Sequence, residues 1–240
     1  MATSAFAQAP AHQLKLKNDP ALKSGLVISS DGRTVQFQTQ AGTIGFPLAN
    51  VESISMPAPP EYAQAQQALA QRDTDKALQL SLAIVTKYKG LPTDWAKGSL
   101  STAAYLSVGK DTPKAKAMYS ELEQLYPGGG GLQAKIGKAL IAIEDKDFLT
   151  AKDILAPVTE EALKAKTVPR DNAFAYSQAF YASGRVAENE GKLQDALENY
   201  LRTVTVFFND PSSRAAAQER ADALRARNKD KKTSEQLTAP

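Results

Sequence analysis

GKLQDALENYLRTVTVFFNDP, residues 191–211, places Leu193, Ala196, Leu197, Tyr200, Leu201, Val204 and Phe208 on one stripe of a helix. Steps of three and four separate them, the spacing of an amphipathic helix, and Asp210-Pro211 supplies a stop. A small alanine in the middle of such a stripe buries less area than leucine would. It is explained if a second helix crosses there too closely for a larger side chain. Such a crossing should recur along the chain.

It recurs. RDTDKALQLSLAIVTKYKGLP, KDTPKAKAMYSELEQLYP and KDFLTAKDILAPV place Ala77, Ala115 and Ala151 where Ala196 sits. Each has a polar turn, then the alanine, then apolar residues at helical spacing, and each runs into a proline. The four alanines stand 38, 36 and 45 residues apart. An amphipathic segment precedes each of them: YAQAQQALAQ, WAKGSLSTAAYLSVG, LQAKIGKALIAIE and NAFAYSQAFYASGRVAENEG. Residues 61–227 therefore read as a run of helix–turn–helix units, the signature of a repeat architecture.

The pattern resembles the tetratricopeptide repeat (TPR), in the divergent form found in exported bacterial proteins. That family has a small residue at the close crossing in each of its two helices. Ala77, Ala115, Ala151 and Ala196 match the small residue of the second helix. Ala65, Ala103, Ala139 and Gly184, twelve positions earlier, match that of the first. Tyr119 and Tyr200 match a large residue four positions on, Gly191-Lys192 falls in register, and Pro127 stands at the family's closing proline. The units exceed the usual period of about 34 residues. The consensus tryptophan is missing, and Pro92 and Pro211 come later than the closing proline. The resemblance covers about two-thirds of the chain. It implies a mainly α fold, a TPR-like helix–turn–helix solenoid of about four repeats over residues 61–227.

It also implies a use. The first helices of such arrays line a concave groove that holds an extended peptide or a partner's helix. By register, the groove candidates are Gln66, Lys97, Gln133, Gln178, Tyr181, Arg185, Glu188 and Asn189. Leu100, Ala104, Ile136 and Leu140 fall between them. Tyr181 has a competing reading as core, continuing a Tyr176/Phe180 patch. The lysine and asparagine clamp with which chaperone-binding members hold a C-terminal carboxylate is not present in register. The function implied is a non-enzymatic interaction scaffold of the bacterial cell envelope with a protein or peptide partner. The alternative is an accessory or substrate-binding subunit for a cell-wall polymer or an envelope enzyme complex.

Ahead of the helices, residues 13–56 read as a small antiparallel β-module. Leu26 to Ser30 forms a strand, and Asp31-Gly32 a hairpin turn. Thr34 to Gln40 alternates, with Val35 and Phe37 facing one way and Gln36, Gln38 and Gln40 the other. Thr43 to Phe46 returns, and Val51 to Ser55 adds a fourth strand. The module resembles the small SH3-like or Sm-like barrels. It is too small to be stable alone and should lean on the helices after it. Residues 57–60 form a proline-rich hinge, and 228–240 a solvated, disordered tail.

Composition narrows the chemistry. With no cysteine, disulfides, thiolate metal sites, a cysteine nucleophile and a lipid-bearing cysteine are all excluded. The single histidine, His12, falls in a flexible-looking start, residues 1–12, with no histidine partner for a dyad or zinc site. A net charge of +3 gives no case for nucleic acid, and no apolar run is long enough to span a bilayer. Ala5-Phe6-Ala7 has the small-x-small form of a signal-peptidase site, which places the mature protein in the periplasm or medium. PGGGG at 127–131 lacks the lysine of a phosphate loop and reads as a linker. Ser212-Ser213 reads as a helix start, and Trp95 as packing at its helix entrance. No catalytic, cofactor-binding or metal-binding residue is expected.

Overall fold

The computed structural model describes residues 12–127 and 130–237. They form two compact units, one made of Met1–Gln66 with Asp75–Ala103 and the other of Gln67–Thr74 with Ala104–Pro240.

The first unit carries strands β1 (His12–Leu16), β2 (Asp19–Asp31), β3 (Thr34–Thr39), β4 (Gly42–Pro47) and β5 (Val51–Ser55). They form one antiparallel sheet in the order β4-β3-β2-β1-β5. The sequence showed four of these strands. It missed β1, and it began β2 too late, because Asn18-Asp19-Pro20 looks like a breaker. His12 is consequently not in a loose start. Its Nδ1 accepts the Val27 N–H at 2.9 Å. Val27 adjoins the point where the β2–β3 register slips, so the imidazole takes a backbone donor at an irregular place in the ladder. Burial lowers the His12 pKa and favours the neutral form that this bond requires.

Alternation along the strands turns Leu14, Val27, Val35, Phe37, Val51 and Ile54 into one buried cluster. A sheet this small cannot close its own core. Helices α1 (Pro60–Ala70), α2 (Thr74–Tyr88) and α3 (Asp94–Ser107) contribute Tyr62, Ile84, Trp95 and Ala96, and the α2–α3 turn contributes Leu91. Trp95 meets Tyr88 edge-on, with ring centroids 5.4 Å apart. Past α2 the chain bridges Ser30 and Asp31 in parallel, and the Ser30 hydroxyl donates to the Lys89 carbonyl at 2.6 Å. The module therefore leans on its helices, and the boundary of this unit does not fall at the proline-rich hinge.

The second unit is helical, with α4 (Thr112–Leu125), α5 (Gly130–Glu144), α6 (Phe148–Lys164), α7 (Arg170–Asn189), α8 (Leu193–Thr205) and α9 (Pro211–Leu237). Asp111 and Asp147 cap α4 and α6 by accepting the N–H of Lys114 and of Thr150, each at 3.1 Å. A left-handed residue turns the chain at Arg72, Gly109, Lys146 and Gly191, with φ of 62°, 80°, 62° and 75°. These four lie at equivalent places, each five or six residues before the repeated alanine. From α4 to α9 each helix packs on the next, and α7 also touches both α5 and α9.

The repeated alanines are where close crossings need them. Ala77, Ala115, Ala151 and Ala196 are all 0 % exposed, as are Ala103 and Ala139, and Ala65 is 1 % exposed. Gly184 is buried as well, and a Cβ there would fall among the Tyr200 ring atoms.

Four details differ from the sequence reading. Helix α8 stops at Thr205, so the helical stripe ends before Phe208, which is 52 % exposed. Phe207 turns inward instead, stacked on Phe180 with centroids 4.3 Å apart, and its carbonyl accepts the Ser177 hydroxyl. Pro157 does not end α6, because Val158 and Ala162 continue the buried stripe past it. Helix α9 runs on beyond Arg227, where a solvated tail was expected. Its start is capped by Asp210, which accepts the Ser212 N–H at 3.1 Å and the Ser213 hydroxyl at 2.6 Å. The carboxylate, rather than the serine hydroxyls, does the capping.

Candidate partner-binding face

In the second unit Arg185 lines two pockets at once. One, of ≈ 210 Å³, includes Tyr105 and Leu106 of α3, Leu140 and Glu144 of α5, and Tyr181 of α7. The other, of ≈ 300 Å³, is formed by Phe148, Arg185, Glu188, Asn189 and Arg220. They adjoin because α7 packs between α5 and α9, which brings one edge of each helix to a common surface. Tyr181, Arg185 and Asn189 follow at steps of four and so share a face of α7.

Two ion pairs lie on this surface, and Lys110 also lines the first pocket. Arg185 donates to Glu144 at 2.8 Å, and Arg220 donates to Glu188 at 2.9 Å. The Tyr200 hydroxyl donates to the same Glu188 oxygen at 2.7 Å. Burial first, and then this carboxylate, raises the Tyr200 pKa and keeps the phenol protonated. The result is a hydrogen-bonding strip beside the apolar side chains Leu106, Leu140 and Phe148. Asn189, exposed, offers an amide beside it.

The sequence candidates separate into four groups. Arg185, Glu188 and Asn189 come together on the strip. Tyr181 and Leu140 line the first pocket, but Tyr181 is only 8 % exposed. Its ring lies 6.0 Å from that of Tyr200 in the cluster that holds Ala196, apart from the Tyr176 and Phe180 cluster. Gln133, Gln178, Ile136 and Ala104 are buried beneath the surface, with Gln133 and Gln178 at 3 % and 0 % exposure. Gln66 and Lys97 are half-buried and Leu100 is buried, all three in the first unit. Glu144, Phe148 and Arg220 were not among the candidates. Arg220 lies on α9, past the last of the repeated alanines, and only the proximity of α9 to α7 reveals it.

A polar cluster lies inside the same unit. Asp210, 1 % exposed, is held by Ser212 and Ser213 and faces Tyr105, Tyr119 and Gln178. The Gln178 amide faces Asp210 without a well-formed hydrogen bond, and the Tyr119 hydroxyl has no partner. A further pocket, of ≈ 280 Å³, lies among α6, α7 and α8. Its lysines are spent: Lys152 and Lys192 both donate to Glu190, at 2.8 and 2.7 Å, and hold its carboxyl below the usual range.

Among the described residues no group of three or more His, Cys, Asp or Glu side chains could hold a metal ion. No described helix is long and apolar enough to cross a membrane. The signal-peptidase-like Ala5-Phe6-Ala7 lies outside the described residues. No family model, curated protein or solved structure matches the chain, so the reading of this face rests on its own chemistry.

Proposed function

We propose that the chain is a non-enzymatic, TPR-like scaffold that binds a protein or peptide partner on the α5–α7–α9 face of its second unit. One observation carries the reading: Arg185 lines both pockets and so joins them into one strip. The buried small residues at the repeated crossings support the TPR-like packing, and so does the contact of α7 with α5 and α9. The Arg185–Glu144 and Arg220–Glu188 pairs and the apolar side chains beside them favour a partner held by hydrogen bonds and apolar contact. Placement in the bacterial envelope rests on Ala5-Phe6-Ala7 alone.

Arg185→Ala combined with Asn189→Ala tests the assignment. The Arg185–Glu144 pair is partly exposed, so its loss changes folding stability little, and circular dichroism melting stays close to wild type. Immobilised wild-type protein recovers a defined protein complex from envelope extract. The double variant loses about 1–3 kcal/mol of affinity for it. Equal recovery by both proteins removes the face from the account. Retention of a cell-wall polymer in place of a protein favours the accessory-subunit reading.

A further inference from the structure

Residues 34–51 contain no charged side chain, although they are flanked by Arg33 and Glu52 in a chain that is 23 % charged. They form β3, β4 and the turn after it, and β4 is a terminal strand of the sheet. Natural edge strands are usually blunted by lysine, by an interior proline, by a bulge or by a covering element. Among the described residues none of these protects β4. The β3–β4 ladder runs from Thr34 opposite Pro47 to Thr39 opposite Gly42 without a slip, whereas every other ladder in the sheet has one. Proline occurs only at the last residue of the strand. Five of its six residues are exposed. At the other edge, β5 carries Glu52, paired with Lys15 at 2.8 Å.

The core is also unfinished at this edge. Ile44 stands opposite Phe37 and so shares its inward face, yet Phe37 is 0 % and Ile44 44 % exposed. Phe46, opposite the buried Val35, faces the same way and is half-buried. Alternate backbone N–H and C=O groups of an antiparallel edge strand point away from the sheet. An added strand would satisfy them and cover Ile44.

We propose that this strand is β4 of a second copy, paired antiparallel about a two-fold axis at Gly45. In that register Ile44 of each copy stands opposite Phe46 of the other on the inward face, a β-branched–aromatic cross-strand pair. Gly45 meets itself at the axis, where the lack of a side chain avoids a clash. A strand without charge gives an acidic or basic peptide no electrostatic advantage, and it does not repel its own copy. The two-fold contact closes on itself and stops at a dimer. Two short paired strands bury less than the roughly 1,000 Å² of a firm interface, so the association is weak and follows concentration.

Sedimentation velocity of the full chain over a concentration series, with hydrogen exchange read at residues 42–47, tests this. The expected result is a reversible monomer–dimer equilibrium, with β4 amides exchanging more slowly as concentration rises. Ile44→Lys puts a charge beside the partner's Phe46 and weakens the dimer by roughly tenfold or more. The exchange measurement on wild type needs no variant to fold. A single monomeric species with concentration-independent β4 exchange overturns the proposal. So does a dimer that leaves β4 exchange unchanged, or β4 protection that requires a different polypeptide.

Discussion

Gly184→Ala lowers the melting temperature, although the same change in the middle of a helix ordinarily raises it. Alanine normally gains about 0.5–1 kcal/mol over glycine in a helix interior by restricting the unfolded chain. At Gly184 the new Cβ would meet the ring of Tyr200. Tyr200 cannot easily retreat: it is 0 % exposed, packed among Ala196, Ala217 and Leu224, and tied to Glu188 through its hydroxyl. Overpacking of this kind costs roughly 1–3 kcal/mol and outweighs the helix gain. For a chain of this size each kcal/mol moves the midpoint by about 2–4 °C. Gly98→Ala is the control. Its Cβ would meet only the Tyr62 hydroxyl at 3.4 Å, an ordinary contact, so that variant gains stability. Shifts of opposite sign support close crossings, and a rise for Gly184→Ala contradicts them.

Asp210→Ala is the second large effect. Removing the cap of α9 costs about 1–2 kcal/mol. Leaving the buried Ser213 hydroxyl without its acceptor adds about 1–3 kcal/mol. The carboxyl also makes stability depend on pH in a defined direction. Burial raises its pKa, and this outweighs the hydrogen bonds from Ser213 and Ser212 that pull it down. In the unfolded chain it titrates near ~3.9. The folded state therefore holds the proton more tightly. The contribution of Asp210 to stability is lost as pH rises through the folded value, and it is fully present below the unfolded one. Asp210→Asn keeps a neutral polar group and removes this dependence. Thermal melts from neutral pH down to about pH 4 should show wild type gaining on Asp210→Asn as the solution is acidified. A difference that stays flat, or reverses, contradicts a buried carboxyl with a raised pKa.

What the sequence reveals depends on where each constraint resides. A close helix crossing forces one small residue at one position, so Ala77, Ala115, Ala151 and Ala196 carry the packing in plain view. The strand alternation of Val35 and Phe37 is equally local. Strand β1 escaped because its order depends on pairing with β2 and β5 rather than on its own few residues. Phe207 and Phe208 exchanged roles because α8 ends early, and helical phase carries no information past its last turn. Gln133 and Gln178 were groove residues by the register of the repeat resemblance; in the fold they are buried. The face itself was half legible. Arg185, Glu188 and Asn189 share a phase along α7, but Glu144, Phe148 and Arg220 reach them only through tertiary packing.

The central claim is that a partner lies along this strip, and a photo-crosslinking amino acid at position 189 tests it most directly. Asn189 is exposed and lines the second pocket, so the substitution disturbs no core. Asp153, exposed on α6 and outside both pockets of the strip, is the matched control position. Irradiation in cells should yield one defined protein adduct from position 189 and none from position 153. No adduct from position 189, or the same adducts from both positions, would contradict the account.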